Sequence, residues 1–439
     1  MRPLIPLILL ALLFPTMTTN ALPYLDAGKM EVNATSVALT RNAFAYMIPN
    51  GTIFLRENAR DRKIGTAEGG RLMSGEGIFV QVDDVLYKVL HEGLEEVDRC
   101  RECRFFPFSL ERMALIDKSG LLVTFEGHKT RYRIHPSFVR WSDDGNKLVA
   151  ISDSEVRLIG ERGAIWGKDF NTQLLDAEPD DLTYLCMKGC EIYAINGKGF
   201  VSWTNRLYGC CTPGKIERIG DLLFVLALGK ELMVLNKDTG RVVEKLPIEG
   251  YEIDGVDGVV AVRNGRGEVH LLVDLARMRL QSKSLGVLVS WDLPEWVTGS
   301  IQLQTPTGSW DLRVGEETFV PIGKEGNITL KVRDQLGNEM KVPVHVESLE
   351  VNLSPDGRVE VRGDGELTIE VDGRMYGTMT NVDTGWLPLY TVKVYNYGIL
   401  VGEYTTYNAR FPIVLLALLI VGLIAFKMRA NKLEQARSV

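Results

Sequence analysis

Residues 138–160 read FVRWSDDGNKLVAISDSEVRLIG. An apolar segment, an Asp-Asp-Gly-Asn turn, a second apolar segment and a third segment of alternating character follow one another in this stretch. Short apolar runs separated by Gly, Asp and Asn predict antiparallel β-strands joined by tight turns. The unit recurs about every 36 residues, and its apolar strands begin at Ala43, Ile78, Met113, Lys147, Thr183, Leu222 and Val259.

Seven similar units without an amphipathic helix between them predict an all-β fold. A radial array of small antiparallel sheets, each buried against its neighbours, explains the even period. We therefore predict a seven-bladed β-propeller over residues 30–285. The alternative is a set of unrelated hairpins in β-sandwiches, which do not usually keep so regular a spacing.

Two stretches carry a family resemblance. Residues 138–150 with 155–158 resemble a blade of the WD-repeat-like propellers. Residues 232–243, LMVLNKDTGRVV, are similar to the quinoprotein-type propeller repeat, and residues 191–199 repeat much of that pattern one unit earlier. The resemblance implies a propeller fold, but the superfamily includes enzymes, scaffolds and binding modules, so it does not fix a function.

The pattern changes from Val287 onward, where the strands lengthen and the period is lost. Residues 327–339, NITLKVRDQLGNE, resemble the closing hairpin of immunoglobulin-like bacterial and archaeal surface domains. We predict an Ig-like β-sandwich over 286–347. A second β-sandwich unit over 348–408 is predicted from its Asp-Gly hairpin turns. Together the two units would form a stalk.

The two ends of the chain predict export and anchoring. Arg2, an apolar run and a polar stretch ending at Ala21 have the order of a secretory signal peptide, residues 1–21, with an uncleaved anchor as the alternative. Residues 410–427 are apolar enough for a transmembrane helix, and a basic tail follows over 428–439. By the positive-inside rule the tail is cytoplasmic and the N-terminus lies outside, in a single-pass cell-membrane protein.

The charge of the chain disfavours nucleic acid as a partner. The formal net charge is −7, and subtracting +3 for Lys427 with the tail and +1 for the signal leaves about −11 for the region between them. An acidic surface of this kind repels phosphate backbones.

Six cysteines in an exported chain predict disulfides rather than thiols or metal ligands. A Cys-x-x-Cys pair predicts a local bridge, and a pair flanking a three-residue turn predicts a second one. Pairing of these turn-flanking cysteines with one of the adjacent Cys210 and Cys211 is an equal competitor for that second bridge. In the predicted fold all six lie on one face of the propeller. A four-cysteine zinc site is the alternative. The six disulfide candidates are Cys100, Cys103, Cys186, Cys190, Cys210 and Cys211.

The sequence contains no recognisable catalytic set, so we expect a binding protein rather than an enzyme, with no cofactor and no metal. The five histidines are isolated, and Gly-x-Ser-x-Gly and phosphate-loop motifs are absent. The acidic stretch 176–181 could gather Ca²⁺ but is typical of a solvated loop. Four sequons predict glycosylation candidates at Asn33, Asn50, Asn327 and Asn352.

Two hypotheses of function remain at this point. The first is a membrane-anchored scaffold that binds a protein or glycan partner on the cysteine-bearing face, where loops vary without loss of fold. The second is an extracytoplasmic quinone- or metal-dependent enzyme in the propeller channel. Convergent carboxylates in the channel would favour catalysis, and an apolar plug would favour binding. The partner-binding candidates of the first hypothesis are Arg101, Glu102, Arg104, Tyr208 and Lys215.

Overall fold

The computed structural model describes residues 24–189, 191–207, 213–227, 230–256, 258–377, 381–383, 389–408 and 410–437. These residues form antiparallel sheets and one long C-terminal helix. The predicted all-β fold is confirmed.

Seven four-stranded antiparallel sheets extend from Tyr24 to Asp274, and sheets 1 to 7 are numbered here by their order in the chain. Within sheets 1 to 6 the four strands are consecutive. The strands are β1 (Tyr24–Met30); in sheet 1, β2 (Ser36–Leu39), β3 (Phe44–Met47), β4 (Thr52–Glu57) and β5 (Arg60–Thr66); in sheet 2, β6 (Arg71–Ser74), β7 (Ile78–Val82), β8 (Val85–Leu90) and β9 (Gly93–Arg99); in sheet 3, β10 (Arg104–Pro107), β11 (Arg112–Asp117), β12 (Gly120–Phe125) and β13 (His128–Tyr132); in sheet 4, β14 (Phe138–Trp141), β15 (Lys147–Ser152), β16 (Glu155–Gly160) and β17 (Gly163–Asp169); in sheet 5, β18 (Leu174–Pro179), β19 (Leu182–Met187), β20 (Glu191–Asn196) and β21 (Val201–Arg206); in sheet 6, β22 (Pro213–Ile219), β23 (Leu222–Ala227), β24 (Glu231–Asn236) and β25 (Val242–Leu246); and in sheet 7, β26 (Glu252–Val256), β27 (Val259–Arg263) and β28 (Val269–Asp274).

The seven sheets form a closed ring, and the first strand of each sheet is the innermost one. The first strands β2, β6 and β10 contact one another in sequence, as do β14, β18, β22 and β26, and β26 returns to contact β2. Sheets 3 and 4 share a core in which Phe125 packs edge-on against Trp141. A ring of sheets with their first strands innermost is a β-propeller.

The ring is closed by a strand from the N-terminal side of the chain. β1 pairs antiparallel with β28, so it becomes the outer strand of sheet 7, with Tyr24 opposite Asp274 and Met30 opposite Val269. Pairing the two ends of the ring in one sheet joins its first and last segments. This strand precedes the repeat, so the sequence period gave no indication of it.

Two tryptophans tie neighbouring sheets together. The indole Nε1 of Trp141 donates to the carbonyl oxygen of Phe106 in sheet 3 at 2.8 Å. The Nε1 of Trp203 donates to the carbonyl oxygen of Lys237 in sheet 6 at 3.0 Å. A buried indole usually finds an acceptor for its N–H, and here the acceptor lies across the sheet boundary.

Two further β units follow the propeller. The first contains a sheet of β29 (Met278–Lys283), β30 (Gly286–Trp291) and β33 (Thr318–Pro321), and a sheet of β31 (Ser300–Thr305), β32 (Gly308–Arg313), β34 (Gly326–Arg333) and β35 (Glu339–Val346). The second contains a sheet of β36 (Glu350–Leu353), β37 (Arg358–Arg362) and β40 (Asn381–Asp383), and a sheet of β38 (Leu367–Val371), β39 (Arg374–Met375), β41 (Leu389–Asn396) and β42 (Ile399–Tyr407). A short 3-10 turn at Leu275–Arg277 leads from β28 into β29, which pairs with β30 of the first unit.

The first β unit shares its core with sheets 7 and 1 of the propeller. Trp296 is fully buried, stacks on Phe44 at 5.5 Å between ring centroids, and donates from Nε1 to the carbonyl oxygen of Thr40 at 3.0 Å. The Oδ2 of Asp334 accepts a hydrogen bond from the backbone N–H of Asp26 at 3.2 Å. Because one apolar cluster spans both parts, the first unit is fixed to the ring.

The second β unit is joined to the first by polar contacts around Ser284. The Ser284 hydroxyl donates to the carbonyl oxygen of Ser348 and accepts from the backbone N–H of Asp364, both at 2.7 Å. The amide of Asn396, fully buried, donates to the carbonyl oxygen of Ser284 at 3.2 Å. These bonds satisfy polar groups that burial would otherwise leave unpaired.

The helix α1 (Arg410–Arg437) follows the last strand, and its segment 410–429 is long and apolar enough to cross a membrane. The Oδ1 of Asn408 accepts from the backbone N–H of Arg410 at 2.9 Å, which caps the first turn. The Arg410 guanidinium lies 3.4 Å from Asp356 Oδ2 and 3.2 Å from Asp383 Oδ1. The helix is consistent with the predicted single span, and the predicted signal peptide lies outside the described residues.

Candidate binding face and central channel

A cavity of about 750 Å³ runs along the axis of the ring. The innermost strands line it, and each of them runs from one face of the ring to the other. The link between β9 and β10 contains two of the cysteines and lies beside the β7–β8 turn, where the Glu102 N–H donates to Asp84 Oδ1 at 2.7 Å. We call this side the cysteine-bearing face. It contains the links between sheets and the turns between second and third strands.

Arg140 is the centre of the charges in the cavity. Its Nη1 donates to the carbonyl oxygen of Ile216 at 2.8 Å, and its Nη2 lies 2.7 Å from Glu178 Oε2 and in contact with Glu217 Oε2. Asp176 Oδ2 lies 3.8 Å from Nη1 and accepts from the Ile216 N–H at 3.0 Å. One guanidinium from sheet 4 therefore joins carboxylates from sheets 5 and 6.

Burial shifts the titration of these groups. It raises the pKa of Glu217 to about 8 and that of Asp254 to about 6, and it raises the pKa of Glu178 well above its usual range. Burial alone would lower the pKa of Arg140, but the carboxylates of Glu178, Glu217 and Asp176 raise it overall. The guanidinium thus stays charged while burial favours protonated acids around it.

The guanidinium is more exposed than the carboxylates that it contacts. The side chain of Arg140 is 22% exposed, whereas those of Glu178 and Asp176 are 1% and 0% exposed. Convergent acids fit the enzyme hypothesis, but Glu178 and Glu217 are already held by the Arg140 guanidinium. Among the described residues, no group of three or more His, Cys, Asp or Glu side chains is placed to hold a metal ion.

The sequence predicts a solvated loop for the acidic stretch 176–181, but the structure places most of it in a strand. Its first residues belong to β18, the innermost strand of sheet 5, and Asp176 and Glu178 are fully buried. Burial of two acids is offset by their contacts with Arg140, which is 36 positions or more away in the chain. Composition of the stretch alone could not reveal that partner.

Three basic side chains surround the channel where it meets the cysteine-bearing face. Arg71 and Arg104 are the first residues of the innermost strands β6 and β10, and Lys215 lies near the start of β22. All three line the cavity. We call Arg71, Arg104 and Lys215 the basic mouth. Arg104 and Lys215 are among the residues that the sequence predicts as partner-binding candidates, and Arg71 is not.

The predicted cysteines fall into two groups. Cys100 and Cys103 form a disulfide, with Cα atoms 5.5 Å apart, as predicted for the local bridge. Cys186 is buried between sheets 5 and 6, opposite Ile192 in the β19–β20 pairing. Cys190, Cys210 and Cys211 lie outside the described residues, so the second bridge stays a prediction.

The partner-binding candidates lie around the same disulfide and mouth. Arg101 and Glu102 are exposed in the disulfide loop, where Glu102 pairs with Lys118 at 2.5 Å. Arg104 donates to the carbonyl oxygens of Pro136 and Ser137 at 2.9 and 3.2 Å. Tyr208 lies outside the described residues.

The four sequon asparagines, Asn33, Asn50, Asn327 and Asn352, are all exposed. Their side chains are reachable by a modifying enzyme, which is a requirement for glycosylation but does not establish it. Glycosylation stays a prediction at each of them.

The first β unit occupies the opposite face of the ring. Trp296 reaches the β2–β3 turn at Thr40, and Asp292 lies 3.9 Å from Arg277, whose side chain approaches the β26–β27 turn at Gly258. Turns between first and second strands belong to the face away from the disulfide. The cysteine-bearing face is therefore clear of the first β unit.

This sheet order defines the chain as a β-propeller protein. No family model and no curated protein matches it. Among solved structures, the WD40 β-propeller domain of Doa1 shares 12% identity, with 57% of this chain and 96% of that chain covered at a TM-score of 0.46. BamB from Moraxella catarrhalis shares 11% identity, with 55% and 85% covered at a TM-score of 0.39. BBS1N, solved in complex with ARL6DN, shares 12% identity, with 57% and 96% covered at a TM-score of 0.46. The sheet order of the described residues, and not these similarities, bears out the propeller fold that the WD-repeat-like and quinoprotein-type resemblance implies.

The raised carboxyl pKa values predict a stability that falls toward alkaline pH. A carboxyl whose folded pKa lies above its ordinary value stabilises the fold when protonated, and this contribution is lost as the pH rises through the folded value. For Asp254 the loss begins above its ordinary pKa of 3.8 and is complete above about pH 6, and for Glu217 it runs from 4.5 to above about pH 8. We expect the thermal midpoint of the full chain in detergent to fall by several degrees across this window.

The variants Glu217→Gln and Asp254→Asn should flatten that decline, because the amides do not titrate. Glu231→Gln is the matched control in sheet 6, since Glu231 pairs with Lys245 at the surface. An unchanged pH profile in both channel variants would show that these carboxyls do not control it.

Proposed function

We propose that this chain is a membrane-anchored, extracytoplasmic binding or assembly scaffold, in which a seven-bladed propeller binds a protein or glycan partner on its cysteine-bearing face. One observation carries the proposal: the first β unit packs on the opposite face, at Thr40 and Arg277, and leaves this face open. The local disulfide Cys100–Cys103 supports it, because a braced loop loses less conformational entropy when a partner binds.

The proposed domain plan keeps the propeller at 30–285, an Ig-like sandwich at 286–347 and a second sandwich at 348–408, although the seven sheets run from Tyr24 to Asp274 and β29 pairs within the first β unit. A removable signal peptide at 1–21 and a cytoplasmic tail at 428–439 complete it. The ion pairs of Arg410 with Asp356 and Asp383 support attachment of the second β unit to the start of the membrane helix. In this plan the propeller is held away from the lipid with its open face accessible.

The second candidate is an extracytoplasmic enzyme in the channel, with quinone- or metal-dependent chemistry. The convergence of Asp176, Glu178, Glu217 and Asp254 on the axis favours it. The ion pairs of Glu178 and Glu217 with Arg140 favour the scaffold instead, because general acid–base catalysis needs a carboxyl that is free to reach the substrate.

Affinity capture tests the proposal. The full chain, solubilised with detergent from the membranes of its own host, should retain a specific partner on a tail-directed affinity matrix. The control is the same matrix without the chain. Turnover by the purified full chain with added quinone and calcium, in the absence of any captured partner, would replace the scaffold with the enzyme.

A further inference from the structure

The basic mouth has more positive charge than its surroundings neutralise. Arg71 makes no hydrogen bond or ion pair with any described side chain, and Arg104 meets only carbonyl oxygens and the ring of Phe106. Lys215 lies 3.9 Å from Asp176 Oδ2, a distance at the limit of an ion pair. Glu252 nearby is paired with Arg263 at 2.9 Å.

Within the mouth Arg71 and Arg104 are exposed, whereas Lys215 is partly screened from solvent. Lys215 Nζ lies 5.2 Å from the ring centroid of Phe138, and Phe105 forms part of the cavity wall. A charge beside apolar walls interacts more strongly with an incoming ion than a charge in open water does. Guanidinium groups in particular match the two oxygens of a carboxylate.

We propose that the basic mouth binds an acidic peptide segment, whose carboxylates contact Arg71, Arg104 and Lys215. This rests on the proposed scaffold function and names the chemistry of its partner. The segment enters from the cysteine-bearing face, and the Arg140 cluster ends the site because its guanidinium is already held by Glu178 and Glu217.

A short acidic peptide fits this site better than a long acidic polysaccharide. The three basic residues surround one opening instead of forming a track, and the chain as a whole has a net charge of −7. A polyanion longer than the mouth would continue over an acidic protein and be repelled. A side-chain carboxylate on a loop or terminus can enter the opening alone.

The test measures binding of fluorescently labelled hexaglutamate to the full chain in detergent micelles by anisotropy. We expect saturable binding that weakens with added salt. Arg71→Gln should weaken it about tenfold, the effect of losing one charge-assisted hydrogen bond. Arg71 makes no described side-chain bond, so this variant should fold normally, and its thermal midpoint checks that.

Arg162→Gln is the matched control, because Arg162 is exposed in the β16–β17 turn on the opposite face. Its affinity for hexaglutamate should equal that of the unaltered chain. Equal loss in both variants, or no binding at all, would overturn the proposal. Tighter binding of hexagalacturonate than of hexaglutamate would also overturn it, in favour of an acidic glycan.

Partner capture run in parallel separates this inference from the proposed function. If the full chain captures a partner but does not bind hexaglutamate, the inference fails and the scaffold stands. If no partner is captured by the unaltered chain, the scaffold itself fails. If the inference is right, Arg71→Gln weakens both hexaglutamate binding and partner capture, and Arg162→Gln weakens neither.

Discussion

Replacing Arg140 with Met lowers the free energy of unfolding by about 3–5 kcal/mol, the usual effect of removing one partner from a buried ion cluster. The substitution leaves Glu178, Glu217 and Asp176 close together without their common cation. It also removes the donor to the carbonyl oxygen of Ile216, so the contact between sheets 4 and 6 across the channel is lost. Denaturant titration of the full chain in detergent, followed by tryptophan fluorescence, measures the change.

Arg157→Met is the matched control in the same sheet, since Arg157 pairs with Glu155 at the surface and exposed pairs contribute at most about 1 kcal/mol. Arg140→Lys keeps the charge but loses the fork of donors, so its stability should fall between the two. If the methionine variant at 140 is as stable as the one at 157, the cluster does not hold the channel together.

Replacing Trp296 with Ala costs about 3–5 kcal/mol and loosens the first β unit from the propeller. Trp296 is fully buried in the cluster shared by the two parts, where it stacks on Phe44 and donates to Thr40. The cavity left by the ring would lie at the boundary itself. Limited proteolysis of the full chain should then cut between the propeller and the first β unit.

Trp310→Ala provides the comparison, because Trp310 lies in the same β unit but only partly buried against the same cluster. A smaller loss of stability and no new cut at the boundary are expected for it. Equal proteolysis of both variants would mean that Trp296 does not join the two parts.

The fold was largely predictable because most strands pair with the strand that precedes or follows them in the sequence. Each sheet is built from consecutive strands and the Asp-Gly turn of residues 142–146 closes on itself, with Asp144 Oδ1 accepting from the Asn146 N–H at 3.0 Å. The closing strand β1 was not predictable in this way. Its partner β28 lies at the other end of the ring, and strand pairing over that separation leaves no period in the sequence.

The candidate site was predictable only where it depends on loops. Placing Arg104 and Lys215 on the cysteine-bearing face followed from the strand order of a propeller blade. Arg140 was missed because the residues that define its role, Glu178 and Glu217, come from other sheets and meet it only in the closed ring. Arg71 was missed because nothing in its local sequence marks it as a channel residue.

The sequence predicts a propeller and a separate stalk, whereas the structure has the propeller and the first β unit packed against each other. Ring and first β unit share one apolar cluster, and Ser284 joins the two β units through buried hydrogen bonds. The propeller and the two β units are thus joined by side-chain contacts as well as by the chain.

Photo-crosslinking from defined positions tests the central claim most directly. A photoreactive benzoylphenylalanine replaces Arg101 on the cysteine-bearing face or Glu161 on the opposite face; both residues are exposed. After irradiation in membranes of the native host, our account predicts a crosslinked partner from position 101 and none from position 161. A partner crosslinked only from position 161 would contradict the assignment of the binding face, and with it the account of a scaffold that presents this face.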